Sequence, residues 1–181
     1  MQDEKGLVEG AKRGDPQAFA RLYEEYFDRI YRYVAVRVGG GAVAEDITEE
    51  VFLKMIESIA SFRWRGVPFS AWLFRIAHNQ VVDHLRRAAR RPSVGLSESI
   101  IAADDDPETI AEHSMSIEQV NVAIECLTKN QRDVIALRFA AGLSIAEVAV
   151  VMDRREGAVK ALQHSALVAL RKRLAGGQDD E

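Results

Sequence analysis

The chain has 181 residues, 48 % of them hydrophobic, with a formal net charge of −4. That is enough apolar material for one or two small globular cores, and it excludes an intrinsically disordered chain. A single cysteine, Cys126, excludes an internal disulfide and a Cys-rich zinc site, and fits a reducing, cytoplasmic setting.

The four histidines (78, 84, 113 and 164) fall at no ligand spacing, so neither a metal nor a cofactor is expected. No apolar run approaches the ~18 residues of a membrane span, and the N-terminus lacks a signal-peptide core. There are only four prolines and no alternating strand pattern, so the expected fold class is all-α.

The net charge is unevenly spread. Residues 1–91 carry 15 basic and 13 acidic side chains, residues 92–115 carry none and six, and residues 116–181 carry nine of each. The acidic total therefore hides basic patches on either side of an acidic connector, and patchiness is what bears on partners.

In chain order, residues 3–13 predict a short amphipathic helix weakened by two glycines. Asp15-Pro16 then reads as an N-cap followed by Pro at the first helical position. The helix runs to about Val38, with Phe19, Leu22, Tyr23, Tyr26, Ile30 and Tyr33 spaced for burial, and Gly39-Gly40-Gly41 ends it.

Residues 43–60 predict the next helix. Its core face is Ala44, Ile47, Val51, Met55 and Ile59. Leu53 and Ile56 fall on the opposite side among Asp46, Glu49, Glu50 and Glu57. Two large apolar residues ringed by carboxylates suggest docking to a basic partner protein. The alternative is that another segment of the same chain covers them.

Residues 61–91 hold an aromatic loop and then a helix that turns steadily more basic, with seven Arg against one acid, Asp83. Arg75, Asn79, Asp83, Arg86 and Arg90 share one polar stripe, while Trp72, Leu73, Ile76 and Ala77 lie on other faces. Single-stranded nucleic acid needs cations for its phosphates and π-faces for its unstacked bases, and this stretch has both. The plainer alternative is a solvated Arg-rich helix end with Phe62, Trp64, Phe69 and Trp72 buried.

Residues 92–115 read as a flexible acidic linker with a DDDP run. From Ser116, Ile117, Val120, Ala123, Ile124 and Leu127 give one apolar face. Thr128 and Gln131 form a capping box for a helix to about Ala140, and Gly142 breaks it. Ser144 and Glu147 form a second box, opening a short helix. A turn, DRRE, precedes a long helix from Ala158 to about Leu174, and residues 176–181 read as a tail.

Two helices joined by a tight turn, the second longer and basic, is the helix-turn-helix arrangement, although generic helical hairpins share the pattern. Val159, Leu162, Ala166 and Leu170 face the core. Lys160, His164 and Arg171 lie opposite, with small Ala161 and Ser165 beside them to let the helix sit deep in a major groove.

Five segments, AEDITEEVF (44–52), FRWRG (62–66), SAWLFRIAHNQVVDHLRR (70–87), LTKNQRDVIALRF (127–139) and LSIAEVAVVMDRREGAVKALQHSAL (143–167), resemble in order a bacterial RNA polymerase sigma factor of the extracytoplasmic-function (ECF) class. The resemblance implies two helical modules joined by a flexible acidic linker: region two over 1–91, a linker over 92–115, and region four over 116–175.

It further implies that Asp46, Glu49, Glu50, Leu53 and Ile56 grip core RNA polymerase. Arg75, His78 and Asn79 would lie near a base captured from the non-template strand at the minus-ten element, with Arg63, Arg65, Arg86, Arg87 and Arg90 on phosphates. Arg154, Arg155, Lys160, Gln163, His164 and Arg171 would read the minus-thirty-five duplex. The implied partners are core polymerase, promoter DNA and an anti-sigma factor.

Arg155 stands where many relatives carry a capping Ser or Thr, leaving Asp153 as the substitute cap, and Ser165 stands where they carry Arg. No nucleophile–base set, phosphate loop or metal spacing supports an enzyme. A free-standing helix-turn-helix regulator would explain residues 116–174 but leave the aromatic loop, the basic helix and the acidic face unused. A protein-only adaptor would explain neither basic face.

Overall fold

The computed structural model of the chain describes residues 4–90 and 124–176, so the acidic linker, the start of the second unit at 116–123 and the tail lie outside the described residues. Among the described residues the fold is all-α. The elements are α1 (Glu4–Lys12), α2 (Pro16–Val38), α3 (Gly41–Ser58), a 3-10 turn (Ile59–Ser61), α4 (Phe69–Arg90), α5 (Lys129–Ile135), a π turn (Ala136–Ala140), α6 (Ile145–Val151) and α7 (Glu156–Gly176).

Local chemistry sets the helix ends. The Asp15 carboxylate accepts from the Gln17 amide, Pro16 opens α2, and Gly39 closes it in the left-handed conformation at φ 98°. The weakness expected of α1 is offset by packing. A Cβ on Gly10 would stand 3.0 Å from that of Ala18, so glycine here is what lets α1 approach α2 closely. Val8 and Ala11 are buried in that contact.

The first module wraps α2, α3 and α4 around a core that includes Leu22, Tyr26, Ile30, Tyr33, Val51, Met55, Leu73 and Phe74. All five residues expected to face the core from α3 are buried. Tyr23 differs from expectation: it remains 41 % exposed, its ring lying against Phe27 and Phe52 at the rim between α2 and α3. Burying any one large apolar side chain of this set contributes about 1.5–3 kcal/mol.

Both capping boxes of the second module form. Thr128 pairs reciprocally with Gln131 to open α5, and Ser144 with Glu147 to open α6. The helix expected to reach Ala140 widens after Ile135 into a π turn, with the Ala141 amide donating to the Ala136 carbonyl at 3.0 Å.

The long helix α7 starts at Glu156, two residues earlier than predicted, with the Arg155 carbonyl accepting from the Ala158 and Val159 amides. Asp153 takes φ 52° and makes the turn that aims α7. Val159 and Ala166 are buried against the rest of the module, and Leu162 and Leu170 are half-buried.

The two modules pack on each other. α4 lies against α6, and α2 lies against the π turn, so the buried apolar residues of both form one continuous cluster.

Candidate docking and nucleic-acid faces

On α3, Asp46, Glu49, Glu50, Leu53 and Ile56 fall within about 120° of one another, on the side away from the core. Leu53 is 55 % exposed and Ile56 50 %, so among the described residues no segment of the chain covers them. The three carboxylates are exposed around them. Among the described residues, the single ion pair on this face, Lys54 to Glu50 at 3.8 Å, is solvated on both sides and contributes little. Tyr23 borders the same face through its contact with Phe52, which is one helical turn before Ile56.

The aromatic loop closes on itself. Phe62 stands edge-on to Trp64 and Phe69, with centroids 4.9 and 5.6 Å apart, and Phe69 and Trp72 tilt together at 5.4 Å. Phe62 and Phe69 are buried, and Trp64 donates from Nε1 to Glu9 at 3.2 Å. Phe62 and Phe69 are core, as the plainer sequence reading has it, and offer no π-face to a base, whereas Trp64 and Trp72 are only half-buried against them.

The basic stripe of α4 is on the surface as expected. Arg75, Asn79, Asp83, Arg86 and Arg90 are exposed along one side. Arg86 lies 3.6 Å from Asp83, and Arg87 donates to the Asp83 carbonyl at 3.2 Å. In the loop, Arg63 donates to the carbonyls of Ala60 and Phe62, holding the 3-10 turn, while Arg65 is exposed.

His78 is elsewhere. It lies beside the buried face of Phe74 and Val81, half-buried, with Nδ1 2.9 Å from the Tyr33 hydroxyl. Burial lowers its pKa; the nearby Asp133 carboxylate pulls it back up, and Arg37 and Lys129 push it down further. Burial also raises the Tyr33 pKa well above the ordinary phenol range.

On α7, Lys160, His164 and Arg171 are exposed together, and Arg154 and Arg155 are exposed in the turn before it. Gln163 sits at the edge of this face and accepts from Arg138 Nε at 2.9 Å. Ser165 accepts from Gln131 Nε2 at 3.0 Å and donates to the Leu162 carbonyl, which ties α7 to α5.

Sequence reasoning missed the residues that join the modules. Arg37, near the end of α2, places Nη2 2.7 Å from Oδ1 of Asp133 on α5, with both side chains almost wholly buried. Arg29 donates from Nε to the Ala141 carbonyl at 3.0 Å, its guanidinium over the rings of Tyr26 and Phe74. Ser70 at the start of α4 donates to the Glu147 carboxylate, the same group that closes the α6 capping box. Burial raises the Glu147 pKa, but the Ser70 and Ser144 hydrogen bonds outweigh it and leave the carboxyl below its ordinary range.

The described residues thus present an exposed acidic-apolar face on α3, a basic stripe on α4 and, in α6 and α7, a helix-turn-helix. Residues 22–91 match Sigma-70 region 2, and residues 123–172 match Sigma-70 region 4.

The ECF RNA polymerase sigma factor BldN of Streptomyces coelicolor is 42 % identical over 93 % of this chain, which spans 64 % of the length of BldN. The ECF RNA polymerase sigma factor SigD of Mycobacterium tuberculosis is 35 % identical, covering 99 % of this chain and 88 % of SigD. The solved structure of CnrH, in complex with the cytosolic domain of CnrY, has the same fold, with a TM-score of 0.73 and 23 % identity over 96 % of this chain and 97 % of that one.

The chain belongs to the ECF RNA polymerase sigma factors, which bind core RNA polymerase and direct promoter-specific transcription initiation. That family is not known as enzymatic. No helix among the described residues is long and apolar enough to cross a membrane.

Proposed function

We propose that each module carries the role its surface chemistry suits. The α3 face, with Leu53 and Ile56 seated among Asp46, Glu49 and Glu50, docks core RNA polymerase, and Tyr23 extends it. The exposed stripe of α4, with Arg75 and Asn79 at its centre, meets the non-template strand of the minus-ten element, and Arg63, Arg65, Arg86, Arg87 and Arg90 meet phosphates. His78 joins that site only if it turns outward. On α7, Lys160, His164 and Arg171, with Arg154, Arg155 and Gln163, read the minus-thirty-five duplex.

The chain acts in the cytoplasm as a specificity subunit and catalyses no reaction itself. Family membership adds an anti-sigma factor as a partner to be sought.

The exposure of Leu53 and Ile56 carries this reading, because two large aliphatic side chains ringed by carboxylates are costly to leave in water without an occupant. The test is co-elution of full-length protein with core polymerase after Leu53→Asp with Ile56→Asp. Loss of co-elution with unchanged helical circular dichroism supports the docking face, and unchanged co-elution refutes it.

A further inference from the structure

Helix α1 lies before the segment that matches Sigma-70 region 2, and the docking and nucleic-acid faces leave it without a role. It is nevertheless fixed to α2 near both of its ends. Glu4 accepts from the Tyr26 hydroxyl, and Gly10 lets the helix approach Ala18 closely. Val8 and Ala11 are buried in that contact, and Leu7 packs against the same core. The helix also meets the 3-10 turn Ile59–Ser61, from which the aromatic loop departs.

One carboxylate reaches from this fixed helix to the loop. Glu9 Oε1 accepts from Lys12 Nζ at 3.0 Å and from Trp64 Nε1 at 3.2 Å, so the lysine orients the carboxylate that holds the indole. Trp64 is the middle residue of a tight turn, closed by the Arg65 amide donating to the Arg63 carbonyl at 2.8 Å. Such a closure leaves its three residues little independent rotation, so fixing the central side chain fixes where its neighbours project. Those neighbours, Arg63 and Arg65, are both exposed. Phe62 stands edge-on to the indole at 4.9 Å and backs it from the core.

We infer that Glu9 is a positioning residue for promoter opening: from α1 it holds Trp64, and through Trp64 it sets Arg63 and Arg65 for the minus-ten element before DNA arrives. The inference rests on the minus-ten reading of this loop and α4. Arranged in advance, the two arginines meet phosphates without the ordering cost that a free loop incurs on binding. A carboxylate repels phosphate, so Glu9 acts through Trp64 rather than by touching DNA, its charge balanced by Lys12. The Lys12 hydrogen bond also lowers the Glu9 pKa below its ordinary value, so the acceptor is a full carboxylate at neutral pH.

The experiment uses the full chain with core polymerase on a promoter selected by run-off transcription. Permanganate reactivity reads the open fraction, and polymerase affinity is measured in parallel. Glu9→Ala removes the acceptor, and Trp64→Phe removes the donor while keeping an aromatic ring beside Phe62. Each is expected to lower opening by up to about tenfold, as loss of one hydrogen bond to a charged acceptor allows, with polymerase affinity unchanged. Both remove the same bond, so the double variant is expected to open no worse than the more impaired single. Glu9→Gln keeps an acceptor for Trp64 and is expected to recover most of the opening. The chain has two tryptophans, so the Trp64 indole proton is one of two in an NMR spectrum, and Glu9→Ala is expected to move chiefly that one.

Impaired opening in both singles with no further loss in the double, and recovery in Glu9→Gln, support positioning by Glu9. Additive losses mean that the two residues act separately and overturn it, as does native-like opening in either single. Equal loss of opening and of polymerase affinity marks a general fold defect and overturns it too. A native chain that opens no promoter refutes the minus-ten reading and the role built on it, while the indole resonance still decides whether Glu9 holds the loop.

Discussion

The Tyr33 hydroxyl and Nδ1 of His78 meet at 2.9 Å, joining α2 to α4 beside the Arg37–Asp133 pair. With the imidazole neutral and its proton on Nε2, the Tyr33 hydroxyl donates to Nδ1, a bond that the imidazolium cannot accept. The charged groups felt at the ring are Asp133 and Lys129 from α5 and Arg37 from α2; the carboxyl on α6, Glu147, is engaged by Ser70.

Because its pKa is lowered in the folded chain, His78 stabilises the fold when neutral. The contribution is present above the ordinary histidine value of about 6.5. As pH falls below that value, the unfolded chain binds a proton that the folded chain resists, and the fold loses stability until the lowered pKa is passed. The expected outcome is a lower urea-unfolding midpoint at pH 5.5 than at pH 7.5, with His78→Asn flattening the profile. An unchanged profile in the variant would assign the transition to another group.

Ser144 Oγ accepts from the Glu147 amide at 3.2 Å, and Glu147 returns a bond to the Ser144 amide at 2.8 Å. Ser144→Ala removes half of that box and is expected to cost about 0.5–2 kcal/mol of stability. Chemical denaturation read by circular dichroism checks the figure.

Asn79 is exposed midway along the α4 stripe, where it can meet a base but supports no core. Asn79→Ala is expected to impair strand opening more than closed-complex formation, since an extruded base exists only once the duplex is melted. Permanganate footprinting of a promoter with polymerase measures the two steps apart; equal loss in both would assign Asn79 to general DNA affinity.

Lys160 and Arg171 project from the exposed face of α7. Replacing either by Ala is expected to weaken binding to the cognate duplex by about 1–3 kcal/mol if base edges are read. Competition between cognate and scrambled duplexes is the check, because a phosphate contact lowers affinity for both equally.

Much of the fold was legible because its signals are local. Asp15-Pro16, the Thr128 and Ser144 boxes and the glycine stop after Val38 each satisfy backbone groups within one turn, so the sequence alone locates them. The exposed α3 face was also legible, since Leu53 and Ile56 break the periodicity that Val51 and Met55 set.

What was not legible depends on non-local partners. His78 reads as one more polar residue of a basic helix until Tyr33 captures it. Arg37 reads as a cation suited to a helix C-terminus, and Asp133 as an ordinary polar position, until the two modules meet. The loop aromatics carry the same composition whether they stack on bases or on each other, and only packing decides that Phe62 and Phe69 do the latter.

The most direct test of the promoter-specificity reading is run-off transcription with purified core polymerase, with and without this protein, on a pool of promoter fragments. Transcripts that require the protein and start at defined positions, with two shared upstream elements, are the predicted result. A polymerase that initiates no differently in its presence would contradict the reading, and surviving duplex binding would then point to a helix-turn-helix regulator.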